Sequence, residues 1–99
     1  MLNHNDNASK NTALVTVIGR DQVGIIGGVC TKLAEMSVNI LDISQTVMQG
    51  NFTMMMLVDL ATSELSMPDV NEALSAYGKD RGLVIRIQRT DIFDAMHEI

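Results

Sequence analysis

The chain has 99 residues, of which 46% are apolar, and it carries a net charge of −5 at pH 7. This length suits one domain and is too short for two. The negative charge repels phosphate backbones and anionic membrane surfaces, so we expect no nucleic acid and no membrane as a direct partner.

The first segment, residues 1–12, is polar and rich in Asn, and we predict that it is a disordered tail. It lacks the apolar core of a signal peptide, and no apolar run of the chain approaches the ~20 residues of a membrane span. We therefore expect a cytoplasmic protein. The single cysteine, Cys30, excludes an intramolecular disulfide and a thiolate metal cluster, and its apolar neighbours favour a small buried side chain.

The β-branched apolar run at residues 13–19 predicts a buried strand. A turn follows, in which we expect Asp21 to cap the first N–H groups of a helix over residues 23–36. The apolar residues that repeat at helical spacing are Ile26, Val29, Cys30 and Leu33.

Residues 38–49 and 52–61 predict two strands joined in a hairpin at Gly50-Asn51. Strand alternation places Met55 on the face opposite Met54 and Met56. We therefore interpret these methionines as core and interface residues and not as ligands of a soft metal.

Ser66, with an acidic residue three positions later at Asp69, forms a capping box and begins a second helix, which Gly82 ends. The apolar stripe of this helix consists of Met67, Val70, Leu74 and Tyr77. A last strand over residues 83–88 alternates apolar and polar side chains. A second capping pair then predicts a short C-terminal helix over residues 91–99, whose apolar side chains include Ile92, Phe93, Met96 and Ile99.

The strand faces predict the arrangement of the sheet. The first and third strands are apolar on both faces, as is typical of central strands, whereas the second and fourth have a polar face and suit edges. With a right-handed β–α–β connection, the antiparallel order is 4-1-3-2 with both long helices on one face. The predicted class is α+β, a ferredoxin-like βαββαβ sandwich. Its uncovered face requires a partner, either the C-terminal helix or another subunit.

The turn after the first strand, GRDQVGIIG at residues 19–27, is the most informative segment for function. A helix N-terminus presents unpaired N–H groups that attract a carboxylate, and glycines allow a ligand to approach closely. A structural interpretation is equally open, in which Asp21 caps the helix and the glycines allow tight packing. The glycine spacing is not that of a dinucleotide-binding fingerprint, and we predict no metal and no cofactor.

The segments GRDQVGIIGGV and SVNILDISQTV resemble ACT domains, and the resemblance extends over about residues 13–89. The closing DIFDAMHEI is similar to the tail of a family of uncharacterised single-ACT-domain proteins, and the amino-terminal half resembles the ACT repeats of the glycine-cleavage regulator. The resemblance implies an ACT domain over residues 13–90 that binds an amino acid between protomers. The ligand-binding residues that it implies are Arg20, Asp21, Gly24, Ile25, Asn39, Ile40 and Asp42. Two alternatives stay open, a turn role for Asn39 and simple solvation for Asp42.

We therefore predict a non-enzymatic regulatory module that forms a homodimer or a higher homo-oligomer and binds a small molecule, an amino acid. We expect any regulated protein to be reached in trans. One alternative is an acylphosphatase-like phosphohydrolase of the same fold, since Arg20 and Asn39 resemble its phosphate-binding pair; the sequence offers no nucleophile–base pair, however. The others are a protein-interaction module without a ligand and an RNA-binding module, which needs aromatic residues on the central strands, where only Phe52 is available.

Overall fold

The computed structural model describes residues 11–90. The elements in chain order are β1 (Thr12–Arg20), α1 (Ile25–Glu35), β2 (Asn39–Met48), β3 (Asn51–Asp59), α2 (Met67–Arg81) and β4 (Val84–Arg89). The predicted βαββαβ order is confirmed, and β1 begins at Thr12, one residue earlier than expected. The tail was predicted over residues 1–12, but Thr12 is buried in β1; residues 1–10 of the tail and the helix predicted over residues 91–99 lie outside the described residues.

The four strands form one antiparallel sheet in the order β2-β3-β1-β4. This is the ferredoxin-like order predicted from the strand faces. The physical reason is that β1 and β3 are apolar on both faces, so an edge position would cost them the most stabilisation from apolar burial. The polar faces of β2 and β4 tolerate the edge positions.

The core lies between one face of the sheet and the two helices. The central strands contribute alternate residues that are almost completely buried, namely Ala13, Val15, Val17, Phe52, Met54, Met56 and Val58. The helices contribute Ile25, Val29, Leu33, Val70 and Leu74. Cys30 is half-buried and packs against this core. Met55 is 43% exposed on the opposite face of the sheet, as the alternation predicts.

Helix α1 begins later than predicted, and its cap is different. Its N-cap residue is Gly24, with a left-handed φ of 88°, and no side-chain hydrogen bond caps the helix among residues 11–90. The expectation that Asp21 caps the helix is therefore wrong. Ile25, not Ile26, faces the core, and Ile26 is 38% exposed. Glycine adopts the left-handed conformation without the steric penalty of a Cβ, so it can turn the chain into the helix at this point.

Helix α2 begins and ends where the sequence predicts. The Ser66 side chain accepts a hydrogen bond from the Asp69 N–H at 3.4 Å, and Gly82 ends the helix with a left-handed φ of 73°. Within its apolar stripe, Val70 and Leu74 are fully buried, whereas Met67 and Tyr77 are partly buried. Neither of the two helices in residues 11–90 is long and apolar enough to cross a membrane.

The β2–β3 turn is displaced by one residue from its predicted position. Its two turn residues are Gln49 and Gly50, with φ values of 55° and 80°, and Met48 pairs with Asn51. Two consecutive residues with positive φ are typical of a type I′ hairpin. The prediction of a Gly50-Asn51 turn is wrong because the buried Phe52 must pair with Val47, and this register places Asn51 in the strand.

The second face of the sheet is not covered by the helices, as expected. Ile18 and Val84 on this face are 48% and 54% exposed, respectively. Leu14 and Leu57 are partly buried. Within the described residues, this face therefore presents an apolar stripe across the three strands β3, β1 and β4.

Candidate ligand site

The loop between β1 and α1 is attached to two other elements at one end of the sheet. The Asp21 N–H donates to the Gly50 carbonyl at 2.9 Å, which connects the loop to the β2–β3 turn. The Gln22 side chain donates to the Arg81 carbonyl at 3.1 Å, which connects it to the end of α2. Val23, between these anchors and α1, is fully exposed. The loop therefore has fixed ends and presents its middle to solvent.

The N-terminus of α1 can accept an anion. Intrahelical bonding begins with the Gly28 N–H, which donates to the Gly24 carbonyl at 2.9 Å. The first N–H groups of the helix have no intrahelical acceptor, and no acidic side chain lies in the first turn. Ile25 is only 3% exposed, so its side chain belongs to the core and is not available to a ligand.

The charged side chains among the predicted ligand residues do not neutralise one another. Within residues 11–90, Arg20 forms no ion pair with Asp21 or Asp42. Asp42 instead accepts a hydrogen bond at Oδ1 from the Ile43 N–H at 2.9 Å, next to a register shift in β2. Arg20 and Asp21 are both exposed at the end of the sheet.

Asn39, Ile40 and Asp42 lie towards the opposite end of the sheet. Asn39 pairs with Asp59 and helps to line an open hollow of about 520 Å³. The left-handed residue here is Ser37, with a φ of 59°, while Asn39 is the first residue of β2. The turn role considered for Asn39 is therefore wrong. Ile40 is partly buried against the core and can offer only its backbone.

The seven predicted ligand residues thus form two groups that one chain does not bring together. Arg20 pairs with Asn51 at one end of β3, and Asn39 pairs with Asp59 at the other. The eight residue steps between Asn51 and Asp59 correspond to about 27 Å. A single small ligand can contact both groups only if the second group comes from another chain.

The edge strand β2 extends beyond the helix layer. By register, Ile43 pairs with the buried Met56, and Val47 pairs with the buried Phe52, so both face the core side of the sheet. Nevertheless Ile43 is 40% exposed and Val47 is 53% exposed. Within residues 11–90, therefore, the helices leave the core side of β2 uncovered, an arrangement that favours contact with a second protein surface.

One surface was missed by the sequence analysis. An open groove of about 900 Å³ lies between α2 and β4. The signal that could have revealed it is the concentration of cationic residues near the end of the chain, at Lys79, Arg81, Arg86 and Arg89.

The geometry also bears on two alternative functions. Arg20 and Asn39, the phosphate-binding pair of the acylphosphatase hypothesis, lie at opposite ends of the sheet and cannot hold one phosphate within a single chain. Phe52, the aromatic side chain that RNA stacking would need, is 3% exposed and cannot stack on a base.

Comparison with known proteins agrees with this architecture. The family model described as the ACT domain matches residues 11–88. A UPF0237 protein of Clostridium acetobutylicum is 53% identical over 87 residues, which cover 88% of this chain and 98% of that protein.

Two solved structures have the same fold. An ACT domain protein from Streptococcus pneumoniae is 38% identical with a TM-score of 0.75, covering 84% of this chain and 93% of that chain. A putative glycine cleavage system transcriptional repressor is 25% identical with a TM-score of 0.72, covering 81% of this chain and 46% of that chain. Since the family match extends from β1 into β4 and these relatives align over most of its length, the chain belongs to the ACT domain family.

Proposed function

We propose that this chain is a regulatory homodimer that binds a small amino acid between its two protomers. Its family points to a regulatory module rather than an enzyme, and one solved relative is described as a transcriptional repressor. The observation that carries the proposal is the exposure of Ile43 and Val47 on the core side of β2.

Pairing of β2 with β2 of a second copy would cover these side chains. An antiparallel pairing about a twofold axis extends the sheet to eight strands and places the two uncovered edges side by side. Burial of an aliphatic side chain of this size contributes ~1.5–3 kcal/mol when it is complete. Only one of the ten residues of β2, Asp42, is charged, so the strand has little charge to oppose self-pairing.

The same pairing would bring the two groups of ligand residues together. In an antiparallel arrangement, the start of one β2 lies beside the end of the other, and that end is connected through the Gly50 carbonyl to the Asp21 N–H. Asn39 of one protomer thus approaches the β1–α1 loop of the second. The helix N-terminus would hold the ligand carboxylate, while the oxygens of Asn39 and Asp42 would accept from its amino group.

A thermal-shift screen against the amino acids and common anions, followed by calorimetry on the hits, tests the proposal. A ligand at a hundred times its Kd adds about 2.7 kcal/mol of stability. In a domain of this size, that corresponds to an increase in Tm of roughly 10 °C or more. If no amino acid binds below millimolar concentration while the dimer is intact, the chain is an interaction module without a ligand.

Two glycines provide a matched pair of variants for locating the site. Gly24 and Gly82 both have a left-handed φ, and a Cβ at either would have no described atom within 4 Å. Gly24→Val and Gly82→Val therefore have comparable backbone strain, but only the first obstructs the N-terminus of α1. We expect Gly24→Val alone to abolish ligand binding and Asn39→Ala to weaken it by ~0.5–1.5 kcal/mol. Equal binding by Gly24→Val and the wild type would place the site elsewhere.

A further inference from the structure

The edge of the sheet opposite β2 has the features of a peptide-binding groove. In the sheet formed by residues 11–90, β4 has a neighbour on one side only, and its other side opens into the 900 Å³ groove beside α2. Ala76 and Ile87 offer accessible apolar surface there, and Ser75 and Lys79 also line the groove. The groove therefore combines a free strand edge with an apolar floor.

The backbone of β4 is oriented to accept another strand. The Ser75 hydroxyl donates to the Ile85 carbonyl at 3.4 Å, so this carbonyl points towards α2 and away from β1. In an antiparallel strand, both backbone groups of a residue point to the same side, and the side alternates along the chain. The N–H and carbonyl of Ile87 consequently face the open edge, which is the template for strand addition.

The charge around this groove is positive, opposite in sign to the net charge of the chain. Four of the seven Lys and Arg residues lie in the last turn of α2 or in β4, namely Lys79, Arg81, Arg86 and Arg89. Lys79 and Arg86 line the groove together with the acidic Glu72, and Asp80 lies between Lys79 and Arg81 in the chain. The chain as a whole carries −5, so this edge is locally basic on an acidic protein. An acidic partner is attracted here and repelled elsewhere.

Charge also argues against a second copy of β4 as the occupant. A twofold pairing of β4 with itself would bring Arg86 of one copy close to Arg86 of the other near the centre of the strand. We infer that the β4 edge and its groove bind an extended, acidic segment of a different protein by strand addition. Alternate side chains of the segment pack on Ala76 and Ile87, while its carboxylates, on the opposite face of the sheet, lie near Arg86. This surface is separate from the proposed ligand site.

The probe for this inference is a ten-residue, end-capped peptide in which Glu and Val alternate. We expect it to bind the full-length, isotope-labelled protein saturably and to shift the amide resonances of Ile85 and Ile87. A peptide of the same composition with all Glu before all Val should bind at least about tenfold more weakly. The alternating peptide with N-methyl groups along its pairing edge should lose binding, because it cannot donate the strand hydrogen bonds.

Two charge-reversal variants separate this surface from general charge effects. Arg86→Glu should weaken binding of the alternating peptide by at least about tenfold. Lys32→Glu, on the exposed side of α1, makes the same change in net charge and should leave binding unchanged. Melting curves establish that both variants are folded.

Three results would overturn the inference: no shift at millimolar peptide, equal binding of the two peptide patterns, or shifts confined to β2. Self-association of the protein alone that disappears in Arg86→Glu would identify a second copy as the occupant and would also overturn it.

Discussion

The hydroxyl group of Tyr77 occupies the space that a Cβ atom of Gly28 would need, so a substitution at Gly28 requires the Tyr77 side chain to move. The Arg81 guanidinium lies 4.4 Å from the centre of the Tyr77 ring and helps to hold the ring in place. A Cβ at the neighbouring Gly27 would meet no described atom within 4 Å. The packing role considered for the glycines thus applies to Gly28 and does not explain Gly27.

This difference predicts opposite effects for two similar substitutions. Gly27→Ala should stabilise the fold by up to ~1 kcal/mol, because alanine has the higher helix propensity, and should raise the Tm by several degrees. Gly28→Ala should destabilise it by ~1–3 kcal/mol, because Tyr77 must move. Urea unfolding of the two variants measures both changes.

A control identifies Tyr77 as the cause of the second effect. In a Tyr77→Phe background the hydroxyl is absent, and the loss in free energy of unfolding that Gly28→Ala causes should be smaller. An unchanged cost in that background would show that another contact of Gly28 limits the substitution.

The β2–β3 turn predicts a stabilising substitution. Gln49 has a φ of 55°, which costs most side chains about 1 kcal/mol, whereas Asn tolerates it better and Asn-Gly is the preferred type I′ pair. Gln49→Asn should therefore increase the free energy of unfolding by a few tenths to ~1 kcal/mol and raise the urea midpoint. Gly50→Ala, at a φ of 80°, should lower the urea midpoint. Identical midpoints for all three proteins would contradict the role of the turn.

Substitution of an apolar side chain of β2 that lies on the core side of the sheet but is left uncovered by the helices should abolish the proposed dimer. Light scattering of the wild type should return twice the chain mass of 10.8 kDa. Val47→Lys should return the single mass, because a buried ammonium group at the interface is costly. Val84→Lys on β4 is the matched control, since Val84 is 54% exposed and Val47 is 53% exposed. A monomeric wild type, or a dimer that persists in Val47→Lys, would refute this interface.

The C-terminal segment should contribute to stability. Residues 91–99 lie outside the described part of the chain, and their apolar side chains remain our reason to predict a packed helix. Deletion of these residues should lower the Tm or cause aggregation, because we expect their helix to pack on the apolar stripe that includes Ile18 and Met55. Deletion of residues 1–10 should leave the Tm unchanged. The same melting curve and mass for the 91–99 deletion and the wild type would contradict the prediction.

Local patterns were sufficient to predict the elements and their order in the sheet. Apolar side chains on both faces of β1 and β3 favour the central positions of the sheet, and the sequence shows them directly. Ser66 and Gly82 define α2 because a serine oxygen and a left-handed glycine satisfy backbone groups within a few residues of themselves. Such features depend on neighbours in the chain, so the sequence by itself determined them.

Features that depend on long-range pairing were decided only by the tertiary structure. The register of Phe52 with Val47 moved the turn to Gln49-Gly50, and the left-handed Gly24 placed the start of α1 after Asp21. The candidate site illustrates the same limit. The sequence supplied all seven of its residues, but the length of β3 separates Arg20 from Asn39 by about 27 Å. Strand length and register are properties of the assembled sheet, and they determine which residues of one chain can meet.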